Sequence, residues 1–386
     1  MRARLQHLWA AMALAIGASV AIAAPADGGV SDLQNSLAGK VLGVDAAPVR
    51  IARAGVDGGP AVAALLEGPL GANAAVRIAL LNNPELQVTL GSESTAISDI
   101  TSREAPAKLR IRQTLTTLSA TTLKAWIQAV TSAQSVDLLR EAKATAHTRN
   151  ELARRMVRVG NLSPLAQAQY QAALSDAALA LARAEQEAFS AREKLIQLLG
   201  LWGEQTRFAL PAALPALPEQ VQDMPDVEAR ALAARADLAV ARAQWDFKQR
   251  SSMPGTADDL WDAMADAARV RALAVKVRSQ AREAYFNYRS TFDMAQHLQT
   301  EVLPLRKYIN DELLLRYNGM LTSVFDVLAD SQQQTLSANA ALLAQRDFWL
   351  AHTDLQAVLA GAPREALGTN AASEASNSAG PGPAGH

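Results

Sequence analysis

Residues 158–164 read RVGNLSP, and they separate two long runs of the chain that contain no other glycine or proline. A glycine ends a helix at little cost because it adopts the left-handed backbone that a helix C-terminus needs. Ser163 is a favoured N-cap, and Pro164 is favoured as the first residue of a new helix. The run Leu109–Arg158 would span about 75 Å as a helix. The stretch therefore predicts the tight turn of a long helical hairpin.

A second stretch of this kind, YNGMLTS, occupies residues 317–323. It follows a helical pattern over 263–318 that only Pro304 interrupts, and it precedes a return helix over 324–359. We expect Gly319 to take the role of Gly160, and Ser323 that of Ser163. Pro304 should kink its helix or unwind it locally.

Two further landmarks recur along the chain. A short amphipathic pattern over 75–86 and another over 228–238 both end in an acidic residue followed by leucine, and both return helices end in LLG or LAG, at 198–200 and 359–361. Matching landmarks at one separation indicate an internal duplication. The predicted fold is mainly α, with two repeated long antiparallel helical hairpins that pack as coiled coils over 71–200 and 226–361. The connector over 201–225 is rich in proline and cannot be helical.

The chain ends carry other signals. Arg2 and Arg4, the apolar residues 8–20 and the AIA of 21–23 predict a signal peptide over 1–23 and an exported protein. An uncleaved membrane anchor is the alternative. Residues 24–70 predict an irregular arm with one short helix over 62–67. The small and polar residues of 362–386 predict a disordered tail.

Composition excludes several classes of function. The 37 basic and 38 acidic residues nearly cancel, which gives no sign of a nucleic-acid partner, and there is no cysteine. None of the five histidines has another at metal-ligand spacing, and these are His7, His147, His297, His352 and His386. No phosphate-binding loop or catalytic constellation is present, so we expect neither an enzyme nor a cofactor or metal site.

Three stretches carry a family resemblance. NNPEL at 82–86, RRMVRVGNLS at 154–163 and RYNGMLTSVFDVLAD at 316–330 together resemble TolC-type outer-membrane efflux proteins. The resemblance extends from about Leu70 to Gly361. It implies a trimer in the periplasm and outer membrane of a Gram-negative bacterium, in which the hairpins of three chains form a helical tunnel. It also implies partners, a periplasmic adaptor protein at the hairpin tips and an inner-membrane pump.

Particular residues inherit roles from this resemblance. The adaptor-docking tips would be Gly160, Asn161, Leu162, Ser163, Gly319, Met320, Leu321, Thr322 and Ser323. Asp326 matches the first position of an acidic pair that lines the closed entrance of the tunnel, whereas Asp330 lies one residue beyond the second position. Arg158 and Arg316 are candidates to pair with these carboxylates. The alternative is that the acidic groups are solvated and are stabilised only by the helix dipole.

One departure from the family remains. Its members insert a pair of membrane strands between the opening helix and the long helix of each repeat, but 91–108 and 248–262 are too short and polar for this. We therefore expect the β-barrel strand pairs to be absent or vestigial, which leaves outer-membrane association open.

Two hypotheses follow. The first is an outer-membrane efflux component that exports small molecules or metal ions, and the second is a barrel-less periplasmic protein that binds an adaptor or full-length relatives without forming a pore.

Overall fold

The computed structural model describes residues 59–89, 104–251 and 257–367. The predicted signal peptide, most of the N-terminal arm and the tail beyond 367 lie outside these residues.

Long helices dominate the described chain, as the sequence predicted. The first half contains α1 (Gly59–Leu66), α2 (Ala72–Asn82), α3 (residues 84–89), α4 (Glu104–Arg158) and α5 (Pro164–Leu199). The second half contains α6 (Val227–Ala234), α7 (Ala236–Ser251), α8 (Ala257–His297), α9 (Leu303–Asn318) and α10 (Val324–Leu359). Helices α4 and α5 form one antiparallel hairpin, and α8, α9 and α10 form the other.

The long helices lie side by side in one layer. Helix α4 packs against α5 on one side and α10 on the other, and α10 packs in turn against α8 and α9. The order across the layer is therefore α5, α4, α10 and then α8 with α9. Helix α5 forms one edge of this layer, and α8 with α9 forms the other.

Most of the apolar core lies at the end of the layer opposite the hairpin turns, which we call the base. One cluster joins α2, the base end of α4 and the end of α5, and Trp126 there donates its indole N–H to the Leu70 carbonyl at 2.7 Å. A second cluster is aromatic, with the Phe348 ring 5.6 Å from those of both Tyr288 and Phe292. Toward the tips the only further cluster among the described residues centres on Val136, Leu181 and Ala184. The distal hairpins are therefore thin and are held by small side chains.

Three polar contacts join the two hairpins at intervals along α4 and α10. Lys124 pairs with Asp354 at 2.9 Å, Ser135 bonds Asn339 at 2.7 Å, and Arg149 bonds Gln332 at 2.9 Å, in order along the antiparallel α4 and α10. A polar pair in a helical interface is satisfied in one register only, because a shifted register would leave it buried and unpaired. These bonds therefore fix the relative level of the two hairpins.

Both opening helices are interrupted, which the sequence analysis did not predict. Asn83 breaks the helical run over 75–86, and Arg235 breaks that over 228–238. The Asn83 side chain donates to the Leu198 carbonyl at 2.9 Å and accepts from the Leu86 N–H, so it caps α3. Arg235 is 3% exposed and bonds Asp237 and Gln280. Each break lets the opening helix bend over the end of a return helix.

Two smaller expectations are corrected and one is made specific. Helix α4 starts at Glu104, earlier than expected. The local unwinding expected at Pro304 is a π-helical segment over Leu298–Val302, directly before the proline. The start of the predicted tail is ordered, because Arg364–Leu367 forms a 3-10 turn. Leu367 is buried there and its carbonyl accepts from Lys124 Nζ at 2.9 Å.

The two segments expected to be too short for membrane strands fall partly outside the described residues, at 90–103 and 252–256. Their described parts belong to α4, α7 and α8 and are helical. Within the described ranges, the only β-type pairing is an isolated bridge between Pro69 and Ala209. None of the described helices has a stretch long and apolar enough to cross a membrane.

Two glycines at the base test this packing. Gly200 has φ +64°, and a Cβ placed on it would lie 2.5 Å from the Asn82 carbonyl oxygen. Gly361 has φ +97° and would meet the Ala234 carbonyl oxygen in the same way. Gly203 has φ +60° with no atom within 4 Å of its Cβ position, so it is the matched control.

Gly203→Ala should cost about 1–2 kcal/mol of unfolding free energy from backbone strain alone. Gly200→Ala and Gly361→Ala should cost a further ~1–3 kcal/mol from the clash, measured by urea denaturation. Equal losses at all three positions would contradict this packing.

His352 should make stability depend on pH. It packs among Tyr288, Phe348 and Trp349, and burial lowers its pKa below the ordinary 6.5. The unfolded chain then binds this proton more readily than the folded chain, so stability falls as pH drops below the unfolded pKa. We expect the thermal midpoint of unfolding to decrease as the pH is lowered from about 8 to about 5.5. The decrease should be smaller in His352→Phe. An identical pH profile for the two proteins would disprove this role.

Candidate functional site

The first hairpin turn has the geometry that the sequence predicted. Gly160 has φ +78°, its N–H bonds the Val157 carbonyl at 3.0 Å, and the Asn161 N–H reaches back to Met156 at 2.9 Å. This is a Schellman C-cap. The Ser163 hydroxyl accepts from the Ala166 N–H at 3.2 Å and caps α5.

The second turn repeats this geometry with a different residue at its centre. The left-handed position is occupied by Met320, at φ +60°, whereas Gly319 has φ −84°. The Met320 N–H bonds the Tyr317 carbonyl at 2.9 Å, and the Leu321 N–H bonds that of Arg316 at 2.8 Å. The expected equivalence of Gly319 with Gly160 is therefore wrong by one residue. The bonds that close the turn place Met320, not Gly319, at the left-handed position.

The tips expose large apolar side chains. Met320 is 93% exposed and Leu321 is 80% exposed, while Val159 and Leu165 flank the first turn at 68% and 72%. Asn161, Gly319 and Ser323 are also exposed, and Leu162 and Thr322 are half-buried. A cluster of exposed apolar groups at the end of a long support is typical of a protein-contact surface.

The two tips are joined by an aromatic contact that sequence reasoning missed. The Tyr170 ring of α5 stacks on the Phe325 ring of α10 with centroids 5.0 Å apart, and the Arg149 guanidinium lies 5.1 Å from the Tyr170 centroid. Arg149 also bonds Gln332 of α10, so three helices meet at this point. Aromatic residues make up 5% of the chain. This rarity is the sequence signal by which Tyr170 and Phe325 could have been found.

The predicted gate residues lie just inside the second tip. The Asp326 carboxylate accepts from the Ser323 hydroxyl at 2.7 Å, from the Thr322 hydroxyl and from the Ser323 N–H. These bonds hold the pKa of Asp326 below its ordinary value, and with the Asp326 N–H bond to Ser323 they form a capping box. Asp330 accepts from the Asn310 amide at 3.1 Å.

The expected partners of these carboxylates lie elsewhere. Arg316 pairs with Glu312 at 3.3 Å, and no ion pair among the described residues joins Arg158 or Arg316 to Asp326 or Asp330. Within one chain Asp326 therefore caps a helix, and a gating role stays a prediction. The described residues contain no group of three metal-ligating side chains.

Solved structures that share this arrangement of helices include outer-membrane channels. The outer-membrane channel OprN superposes with a TM-score of 0.57 at 14% identity, over 75% of this chain and 90% of its own. The chain has the TolC-type fold. CusC, which folds to form a transmembrane channel, gives the same TM-score and the same identity. The superposition covers 75% of this chain and 95% of CusC. VceC, an outer membrane protein of Vibrio cholerae, gives 0.51 at 13% identity over 76% of each chain.

Sequence comparisons add nothing to this likeness. No family model and no curated protein matches the chain. The arrangement of the helices in three dimensions therefore establishes the TolC-type fold. Sequence identities this low show a shared fold and nothing more.

Exchanging residues between the two turns tests their equivalence. Gly160→Met places a β-carbon at φ +78°, where no neighbouring atom lies within 4 Å, and should lower the unfolding free energy by about 1–2 kcal/mol. Met320→Gly removes the same strain and should leave stability unchanged or raise it by up to about 1 kcal/mol. Both are measured by urea denaturation. If Gly319→Ala lowered stability as much as Gly160→Met does, the assignment of the second turn would be wrong.

Proposed function

We propose that this protein is the outer component of a tripartite efflux system, in which its hairpins form a trimeric helical tunnel across the periplasm. The tips would dock on a periplasmic adaptor protein that is coupled to an inner-membrane pump, and small molecules or metal ions would be the cargo. The observation that carries this proposal is the pair of capped turns at the same end of two adjacent hairpins of a TolC-type fold.

The chemistry of the tips supports docking. Each turn is closed by its own backbone hydrogen bonds. Its backbone is therefore already ordered before a partner binds, which lowers the entropy cost of binding. Met320 and Leu321 present flexible and branched apolar groups at the outermost point, where a partner can desolvate them. The Tyr170–Phe325 stack keeps the two tips adjacent, so that one partner surface can contact both.

A second candidate is a periplasmic helical protein that binds the adaptor, or longer relatives, without forming a pore. The observation that favours it is the helical course of α7 up to Ser251 and of α8 from Ala257, where the resembled family inserts membrane strands. Cell fractionation separates the two candidates. Release with soluble periplasm and no recovery in the outer-membrane fraction would exclude the conduit, whereas a trimer that detergent extracts from the outer membrane would exclude the second candidate.

Docking is tested by charge placed on the tips. Met320→Asp and Leu321→Asp should each lower affinity for the adaptor at least about tenfold, because a carboxylate in an apolar contact stays unpaired. Val88→Asp is the matched control, since Val88 is 73% exposed but lies on α3 at the base. Affinity is measured by surface binding to the purified adaptor. Equal binding by both tip variants and wild type would remove the tips from the docking surface.

A further inference from the structure

The first hairpin turn carries a concentration of positive charge. Arg154, Arg155 and Arg158 lie close to the end of α4, and all three are exposed. Residues 152–175, which extend from these arginines through the turn and into α5, contain no aspartate or glutamate. Asp176, the first acidic residue of α5, comes 12 residues after Pro164, which is about 18 Å along the helix. Beyond Glu151, the chain therefore places no carboxylate near the first tip.

Two of these arginines have no ionic partner in the described part of the chain. Arg154 is held in place, because it bonds Glu151 at 3.4 Å and Gln171 at 3.0 Å. By contrast, no ion pair among the described residues involves Arg155 or Arg158. These two residues are three positions apart, so they project from neighbouring positions on one side of α4. We call Arg155 and Arg158 the arginine pair.

Exposed apolar side chains accompany the arginine pair. Val159, directly after Arg158, is 68% exposed, and Leu165 in the first turn of α5 is 72% exposed. Arginine is enriched in protein contact surfaces, where its charge is paired across the interface beside apolar groups. The first tip therefore offers a partner both guanidinium groups and apolar contact.

Stabilisation of the helix end does not account for the arginine pair. A cation in the last turn of a helix is favoured by the helix dipole. Helices α5 and α10 nevertheless end without any basic residue in the last turn. Helix α9, which leads into the second turn, has only Arg316 there, and this residue is paired with Glu312. Among these long helices, only α4 ends with two exposed arginines that its own chain leaves unpaired.

The second tip carries the opposite charge. Aligning Gly160 with Met320, the two left-handed residues, makes residues 152–175 equivalent to residues 312–335. The first range contains three arginines and no acidic residue, whereas the second contains three acidic residues and one arginine. Their formal charges are therefore +3 and −2. All three acidic groups of the second range are bonded within the chain, so its outermost exposed groups are apolar.

We propose that the arginine pair binds carboxylate groups of the protein that docks on the tips. The partner then presents an acidic patch to the first tip and an apolar surface to the second. The inference rests on the proposed function and names the surface chemistry of its adaptor. Guanidinium and carboxylate groups form strong, directional paired hydrogen bonds. Because the Tyr170–Phe325 stack keeps two tips of different charge adjacent, a partner patterned in this way fits in one orientation only.

A lipid surface fits these observations less well. Anionic lipids attract basic residues, but the second tip would bring a formal charge of −2 to the same surface and be repelled. The whole chain has a net charge of −1, so it has no general attraction for polyanions. A protein surface with separate acidic and apolar areas matches both tips.

A carboxylate polymer tests the arginine pair without an adaptor. Fluorescein-labelled poly-L-glutamate should bind the purified full chain at about 50 mM salt, as followed by fluorescence anisotropy. Arg155→Glu combined with Arg158→Glu should lower this affinity at least about tenfold, because attraction becomes repulsion. Arg155→Lys combined with Arg158→Lys keeps both charges and should lose only a few-fold, since lysine lacks the guanidinium fork.

The matched control reverses two exposed arginines near the base. Arg242→Glu combined with Arg271→Glu should leave the affinity for poly-L-glutamate unchanged. Equal binding by wild type and the glutamate variant of the arginine pair, or an equal loss in the control, would overturn the proposal. Sedimentation of wild type, but not of that variant, with phosphatidylglycerol vesicles would also overturn it, because the arginine pair would then belong to a lipid contact.

Adaptor binding separates this inference from the proposed function. Arg155→Glu combined with Arg158→Glu should lower affinity for the purified adaptor at least about tenfold at about 50 mM salt, and the loss should shrink at about 500 mM salt as charges are screened. Leu321→Ala on the second tip should lower affinity by a factor that salt changes little, because it removes apolar contact.

The two ideas fail in different ways. If the adaptor binds the arginine variant as tightly as wild type at low salt, the inference is wrong and the proposed function stands. If the adaptor does not bind wild type at any salt concentration, the proposed function is wrong, and the poly-L-glutamate measurement alone decides whether the arginine pair binds carboxylates.

Discussion

The side-by-side packing of α4 is the interaction on which the rest of the structure depends. A helix of 55 residues gains most of its stability from packing of its apolar side chains and therefore needs partners along its length. Helix α5 supplies one partner within the same hairpin, and α10 supplies the other from the second hairpin. This central position of α4 gives the layer its two edges. It also brings the two hairpin turns to the same end of the molecule.

The base of the layer is where the chain gains most of its apolar burial. The ends of both return helices are left-handed glycines, and each approaches the carbonyl that precedes a break in an opening helix. Asn82 donates to the Leu199 and Gly200 carbonyls, which have no partner within their own helix. Such bonds tie the opening helices to the hairpins. They leave the part of each hairpin nearer the tips to be held mainly by small residues and polar contacts.

That division suits a support which carries a contact surface at its far end. The polar bonds between α4 and α10 specify one register, and the Tyr170–Phe325 stack repeats this specification close to the tips. Thin distal hairpins with exposed alanine-rich faces can pack closely with neighbouring helices. The same faces would be costly in an isolated chain, because their apolar groups would stay in water.

Local chemistry by itself determined where the long return helices begin and end. Helix α5 begins after the N-cap Ser163, with Pro164 as its first residue, and α10 begins after the N-cap Ser323. The two helices end at Leu199 and Leu359, as predicted. These signals work because a cap satisfies backbone groups only a few residues away. The helical hairpins and their length followed from the same stretches.

Only the tertiary structure decided the features that depend on residues far apart in the chain. The left-handed residue of the second turn is Met320 and not the neighbouring glycine, because the bonds to Tyr317 and Arg316 close the turn one residue later. The breaks at Asn83 and Arg235 depend on partners about 115 and 45 residues away, which no local pattern reveals. The exposure of one face of α5, from Leu165 to Phe189, likewise follows from which helix lies beside α4. Periodicity identifies an apolar face, but the tertiary arrangement decides whether the chain itself covers it.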